Sequence, residues 1–237
     1  MKNKTIAIIT ARGGSKRIPN KNIKDFYGEP IINYSIKAAL KSGIFDEVMV
    51  STDSEKIAEI SKNAGAKVPF FRSEKTSNDF ATTADVLLEV FENYKKLGSV
   101  FDYACCIYPT APFITPEKLK LGMDTIIKTE ASFVIPSVKF SFPPQRGYII
   151  NDDNTIKYKW PENFSKRSQD LEPLYHDAGQ FYFYNVEEFI EKNGIATYFR
   201  KTVPIILSDL EVQDIDNEDD WVAAEIKYSV LKEKGLI

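Results

Sequence analysis

Two hydrophobic periods alternate along the first half of this chain, and that alternation limits the possible folds more than any other feature. Residues 5–10, 47–51, 68–71 and 103–108 are short β-rich runs, and 31–42, 54–64, 83–97 and 116–128 read as helices between them. The punctuation agrees: Pro30 sits near a helix start, Gly43 just past a helix end, Ser54 in position to cap, and Thr115-Pro116 at another opening. In the helix from Thr83, residues Leu87, Val90, Phe91 and Tyr94 form one apolar stripe. Strand-helix alternation implies an α/β fold with parallel strands joined by right-handed crossovers, and such sheets bind ligands beyond the carboxyl ends of their strands.

At the first of those ends stands Thr10-Ala11-Arg12-Gly13-Gly14-Ser15-Lys16-Arg17-Ile18-Pro19-Asn20-Lys21-Asn22, which sets four cations around adjacent glycines. A polyphosphate needs backbone N–H donors brought close by glycine, together with fixed ammonium and guanidinium groups. Arg12, Lys16 and Lys21 are spaced to reach different phosphates. The loop is neither a Walker A sequence nor a G-x-G-x-x-G fingerprint. A solvated basic turn is the alternative reading, and the placement after a strand argues against it. Asp53 and Tyr108-Pro109-Thr110 fall at two further strand ends.

A second constellation is Asp214-Ile215-Asp216-Asn217 ahead of an acidic helix start and a periodic helix through Trp221, Ala224, Tyr228 and Leu231. On a strand, Asp214 and Asp216 would share a face and could share Mg²⁺, which takes one or two carboxylates plus phosphate oxygens and water. Alternatively, Asp216 or Asn217 caps the helix. The lone histidine, His176, rules out a multi-His zinc site. It is either a structural imidazole or a contact of a pocket.

With 237 residues and 43% hydrophobic content, one domain covering 1–237 is expected. From about 139 to 174 the regular pattern gives way to a Pro-, Arg- and aromatic-rich insertion. It is either an arm folded back on its own domain or one buried against a second copy. A net charge of -3 offers no broad basic face, so neither nucleic acid nor a membrane surface is an expected partner. No apolar run reaches membrane-span length and Met1-Lys2-Asn3-Lys4 leads into a strand, which makes a cytoplasmic location the expectation. Adjacent Cys105 and Cys106 should face opposite sides of a strand as packed thiols, in keeping with a reducing compartment.

The loop Ala11–Lys16 with Ile18–Asn22 resembles that of the acylneuraminate cytidylyltransferases, which activate 3-deoxy-2-keto sugar acids. Ser51-Thr52-Asp53, Arg72 with Asp79 and Thr83, Pro109-Thr110-Ala111-Pro112 and the Asp214/Asp216 pair match in order, so the likeness spans nearly the whole chain. The segments Cys106–Phe113 and Arg167–Tyr182 are most similar to the branch of the family that uses pseudaminic acid. Tyr108 stands where sialic-acid-activating relatives resemble Gln, which directs expectation away from sialic acid. The legionaminic and N-acetylneuraminic branches remain alternatives.

This resemblance implies a Rossmann-like three-layer nucleotidyltransferase fold with a mainly parallel sheet and an inserted dimerisation arm, hence a homodimer. It also implies CTP as co-substrate, Mg²⁺ as cofactor, and a nine-carbon sugar acid as acceptor, with the product directed to a surface glycan or flagellin. Arg12, Lys16 and Lys21 are then the catalytic cations. The nucleotide is held by Ala11, Arg12, Gly13, Gly14, Ser15, Lys16, Lys21, Asn22, Arg72, Ala81 and Thr83, and the metal by Asp214 and Asp216. Tyr108, Thr110, Lys139, His176, Gln180 and Tyr182 are the sugar-site candidates. Arg72 could instead be a structural arginine near Asp79. A glycosyltransferase and a non-catalytic nucleotide-binding module are the readings from other classes.

Overall fold

In the computed structural model, which describes residues 3–237, the expected alternation is present. Strand β1 (Thr5–Thr10) leads through the basic loop to a two-strand ribbon, β2 (Asp25–Phe26) and β3 (Glu29–Pro30). Helix α1 (Ile32–Ser42), β4 (Glu47–Ser51), α2 (Glu55–Asn63), the short α3 (Glu74–Ser77), α4 (Thr83–Lys96) and β5 (Tyr103–Ile107) follow. Then come α5 (Pro116–Thr129) and β6 (Phe133–Lys139), which carries the chain into the arm with its hairpin β7 (Tyr148–Ile150) and β8 (Ile156–Tyr158). The chain returns as β9 (Tyr175–Asp177) and β10 (Phe181–Asn185), and ends with α6 (Val186–Glu191), β11 (Thr202–Leu207) and α7 (Glu218–Glu233).

Local chemistry explains the boundaries. Gly43 stops α1 at φ 66, a backbone conformation disfavoured once a Cβ is present. The Ser54 side chain accepts from the Ile57 N–H at the start of α2, and Thr115 does the same for Lys118 ahead of Pro116 in α5. Thr82 and Asp85 form a reciprocal capping box for α4.

The central sheet has the order β11-β6-β10-β5-β1-β4, and β9 pairs the outer part of β6. All contacts within β4-β1-β5 and within β6-β11 are parallel, whereas β10 runs antiparallel between β5 and β6. The sheet is therefore mixed, with a parallel majority. Helices α1, α2 and α5 pack on one face through Ile32, Ile36, Ile57, Leu119 and Met123, and α4 and α6 cover the other through Leu87, Val90, Phe91 and Phe189. Cys105 joins the first core and Cys106 the second, both fully buried and free, as period-2 geometry requires.

Two expectations are corrected. Residues 68–71 form no strand. The chain follows the edge of β4 only at Lys67, which exchanges backbone hydrogen bonds with Val48 and Val50, and then departs at Pro69, whose nitrogen has no proton to donate. Asp214 and Asp216 lie in irregular chain rather than on a strand. The start of the Met1–Lys4 lead lies outside the described residues.

A third, smaller core positions the site. Ile18 of the basic loop and Ile215 between the two aspartates are buried together with Phe26, Phe113, Trp221 and Ala224. Each such isoleucine gains about 1.5–3 kcal/mol from burial. Ile215 is fixed inward, and its neighbours on both sides, Asp214 and Asp216, line the cavity that the loop cations also line.

Candidate active site

Beyond the carboxyl ends of β1 and β5, a cavity of about 340 Å³ is walled by Arg12, Ser15, Lys16, Arg17, Lys21 and Asn22 of the basic loop, by Tyr108, Pro109 and Thr110, and by Asp214 and Asp216. Four cations and two carboxylates thus converge from segments nearly 200 residues apart in sequence.

The loop is shaped by close approach at one glycine. The Gly13 N–H donates to Asp53 Oδ1 at 2.8 Å, and a Cβ on Gly13 would come within 3.1 Å of the Ser54 Cβ. A Cβ on Gly14 would meet open space. Asn22 is buried, and its amide donates to the Arg12 carbonyl at 2.9 Å, closing the loop on itself.

The cations divide into two groups. Arg12 Nη1 lies 2.7 Å from Asp79 Oδ1, and Lys16 Nζ pairs with the other oxygen of the same carboxylate. Arg17 Nη2 lies 2.7 Å from Asp216 Oδ1, with Lys21 Nζ 3.7 Å away from that oxygen and also donating to the Ile215 carbonyl. Asn217, not Asp216, caps α7: its side chain accepts from the Asp220 N–H, and Asp220 reciprocates. The Asp216 carboxylate is thereby left to the cavity. Asp214, though open to solvent, titrates above its ordinary range because the surrounding protein partly desolvates it, and then because Asp216 is close, with Lys21 acting in the opposite sense. Two mutually repelling carboxylates facing a space for phosphate are a chemically suitable hard-oxygen donor set for Mg²⁺.

The remaining expected residues are distributed around this cavity rather than on its wall. Arg72 is not paired with Asp79. It lies buried under the end of β4, where Nε and Nη2 donate to the Ser51 hydroxyl and carbonyl at 3.1 and 2.7 Å, and burial lowers its pKa. Thr83 opens α4, and the Ala81 N–H is tied to Asn78 Oδ1 at 3.0 Å. Tyr182 is buried behind Tyr108, with ring centroids 5.4 Å apart, and donates to Asp177 Oδ2 at 2.8 Å. Gln180 is also buried, sitting where the chain bulges between β9 and β10 after Gly179 (φ 64), and its amide donates to the Glu211 carbonyl at 2.6 Å. Lys139 and His176 stand apart at the root of the arm, where Lys139 pairs with Tyr175. The exposed His176 ring packs 4.8 Å from Phe140, and its Nδ1 is 2.8 Å from the Asp177 carbonyl.

The chain that builds this cavity, at the carboxyl edge of a mostly parallel sheet, is similar over nearly its whole length to known proteins. The family model described as Cytidylyltransferase matches residues 6–225. The chain belongs to the cytidylyltransferase family. As a cytidylyltransferase it is a nucleotidyltransferase that uses CTP. It is 40% identical over 233 residues to a pseudaminic acid cytidylyltransferase of Campylobacter jejuni subsp. jejuni serotype O:2, covering 98% of this chain and all of that one. It is 33% identical to a CMP-N,N'-diacetyllegionaminic acid synthase of Legionella pneumophila, over 98% of this chain and 99% of the relative. In fold it is similar to a CMP:2-keto-3-deoxy-manno-octonic acid synthetase solved with CTP, at a TM-score of 0.69 and 17% identity, over 97% of this chain and 99% of that one.

Of the four cations counted in the loop, the sequence assigned roles to three and left Arg17 without one. Arg17 lines the cavity and engages Asp216, and its place between Lys16 and the buried Ile18 is the signal that could have found it.

Proposed function

We propose that the protein transfers the cytidylyl group of CTP to a nine-carbon 2-keto sugar acid, with pseudaminic acid as the substrate, giving the CMP-sugar and pyrophosphate. The observation that carries this reading is the convergence of Arg12, Lys16, Arg17 and Lys21 with Asp214 and Asp216 on one cavity. The full-length likeness to a pseudaminic acid cytidylyltransferase supports it. In the reaction the anomeric hydroxyl of the acid attacks the α-phosphorus, the bond from that phosphorus to the bridging oxygen breaks, and the hydroxyl proton is lost to solvent. Such chemistry depends chiefly on alignment and on neutralising charge.

Lys21 holds the α-phosphate, while Arg12 and Lys16 take the departing pyrophosphate. Ala11, Gly13, Gly14 and Ser15 bring backbone to the phosphates, and Asn22, Arg72, Ala81 and Thr83 surround the cytosine and ribose. Asp214 and Asp216 would hold Mg²⁺, which, when bound, supplies charge neutralisation at the phosphates. The acid is oriented from the other side by Tyr108 and Thr110, backed by Tyr182 and Gln180. Lys139 and His176, apart from this cavity at the root of the arm, contribute to the acid only across a pair of chains.

The arm pairs two copies of the chain, in keeping with the exposure of Phe142 (85%) and Ile150 (70%). The enzyme works in the cytoplasm and supplies a glycosyltransferase that decorates a surface glycan or flagellin. The test is pyrophosphate release from CTP, with and without Mg²⁺, across pseudaminic, legionaminic, N-acetylneuraminic and 3-deoxy-manno-octulosonic acids. Pseudaminic acid should give the highest rate, and only with the metal. A higher rate with legionaminic acid would reassign the acceptor, and no release with any acid would refute the reading.

A further inference from the structure

Asp79 takes part in none of the roles above, yet its carboxylate holds two of the four loop cations, one on each oxygen. It is not itself part of the cavity wall, whereas Arg12 and Lys16 are. The carboxylate therefore grips these side chains from outside the space in which a ligand would sit.

The turn that carries Asp79 is well anchored. Asn78 Oδ1 accepts from the N–H groups of Phe80 and Ala81 at 2.8 and 3.0 Å, its amide donates to the Lys75 carbonyl at 2.7 Å, and its own carbonyl accepts from Arg12 Nη1 at 3.2 Å. Behind it, the Glu89 carboxylate on α4 accepts from the backbone and hydroxyl of Ser73 and from the Thr76 hydroxyl, tying α3 to α4. By contrast the Lys16 side chain is 78% exposed and has no other ion-pair partner among the described residues. A long side chain of this kind loses considerable rotamer freedom when a ligand orders it. A fixed carboxylate behind it pre-orders the ammonium before the ligand arrives.

We propose that Asp79 is a positioning residue that aims Arg12 and Lys16 at the β- and γ-phosphates, leaving Arg17 and Lys21, held by Asp216, for the α end. The inference rests on the phosphate assignments of the proposed function. Hydrogen bonds from Lys16 and then Arg12 also hold the Asp79 carboxyl below its ordinary value, so the grip is present at neutral pH.

The experiment is calorimetric titration of the full chain and its Asp79→Asn and Asp79→Glu variants with CTP, inorganic pyrophosphate and CMP. Asp79→Asn should weaken CTP and pyrophosphate by roughly tenfold, the scale of leaving two long side chains to be ordered by the ligand, and CMP by less than about twofold. Asp79→Glu should recover part of the loss. Equal weakening of CMP would overturn the inference by showing general damage to the pocket. Unchanged or tighter CTP binding would overturn it by showing that the carboxylate is idle or competes with phosphate. If the unmodified chain binds none of the three, the proposed function itself fails.

Discussion

Lys21 shows how one residue can serve both the scaffold and the chemistry. Its ammonium donates to the carbonyl of buried Ile215 and sits 3.7 Å from Asp216, so it ties the basic loop to the aspartate segment while lining the cavity. Lys21→Ala should lower kcat by about 10²-fold or more, the usual cost of removing one charged donor from developing charge. Asp216→Asn should lower kcat similarly with little change in folding stability, because Asn217 rather than Asp216 secures the helix. Steady-state kinetics checks both variants, and near-normal turnover in either would return that residue to a structural role. At this scale the sequence was most readable where charges cluster in a short segment: the loop cations and Asp214 and Asp216 all reach the cavity. Partners were less readable. Nothing in linear order says that Asp79 pairs with Arg12 and Lys16 rather than Arg72, because that choice depends on how α3 and α4 dock.

Elements with caps and a full apolar stripe were placed to within a residue or two, as α1, α2, α4 and α5 illustrate. The stretch 68–71 misled because apolar residues around a proline mimic a strand that has no ladder to join. The reversed direction of β10 was also hidden, since Phe181–Asn185 reads the same whichever way it enters the sheet. Packing between elements yields its own expectation at Gly122 on α5, where a Cβ would fall 2.2 Å from Cε2 of Phe183 on β10. Gly→Ala inside a helix ordinarily stabilises by about 1 kcal/mol. Here overpacking costs about 1–3 kcal/mol and should prevail. Chemical denaturation of Gly122→Ala should therefore show a lower midpoint; a raised midpoint would mean that the ring swings aside at little cost.

For the molecule as a whole, the arm is the largest departure from a compact domain. Its hairpin exposes Tyr148, Ile149, Ile150 and Ile156, with Phe142 and Phe164 nearby, and a partner copy offers the simplest cover. Ile150→Asp with Phe142→Asp should convert a dimer to a monomer in sedimentation velocity while CTP binding persists, because the cavity is lined by residues outside the arm. A chain already monomeric at micromolar concentration would remove the dimer from the picture. The aromatic density of residues 139–174 announced an unusual segment, but exposure depends on three-dimensional neighbours and could not be read from spacing.

The paired thiols of β5 have a practical consequence. Cys105 and Cys106 are sealed in opposite cores, and burial pushes both thiols up, Cys106 to about 12, so neither offers a reactive thiolate at neutral pH. The folded chain is accordingly silent to maleimide dyes without any cysteine being removed. A single cysteine introduced at Asn154, in the turn of the hairpin, would carry a fluorophore or spin label alone, and an intermolecular distance between such labels would appear only where two arms pair.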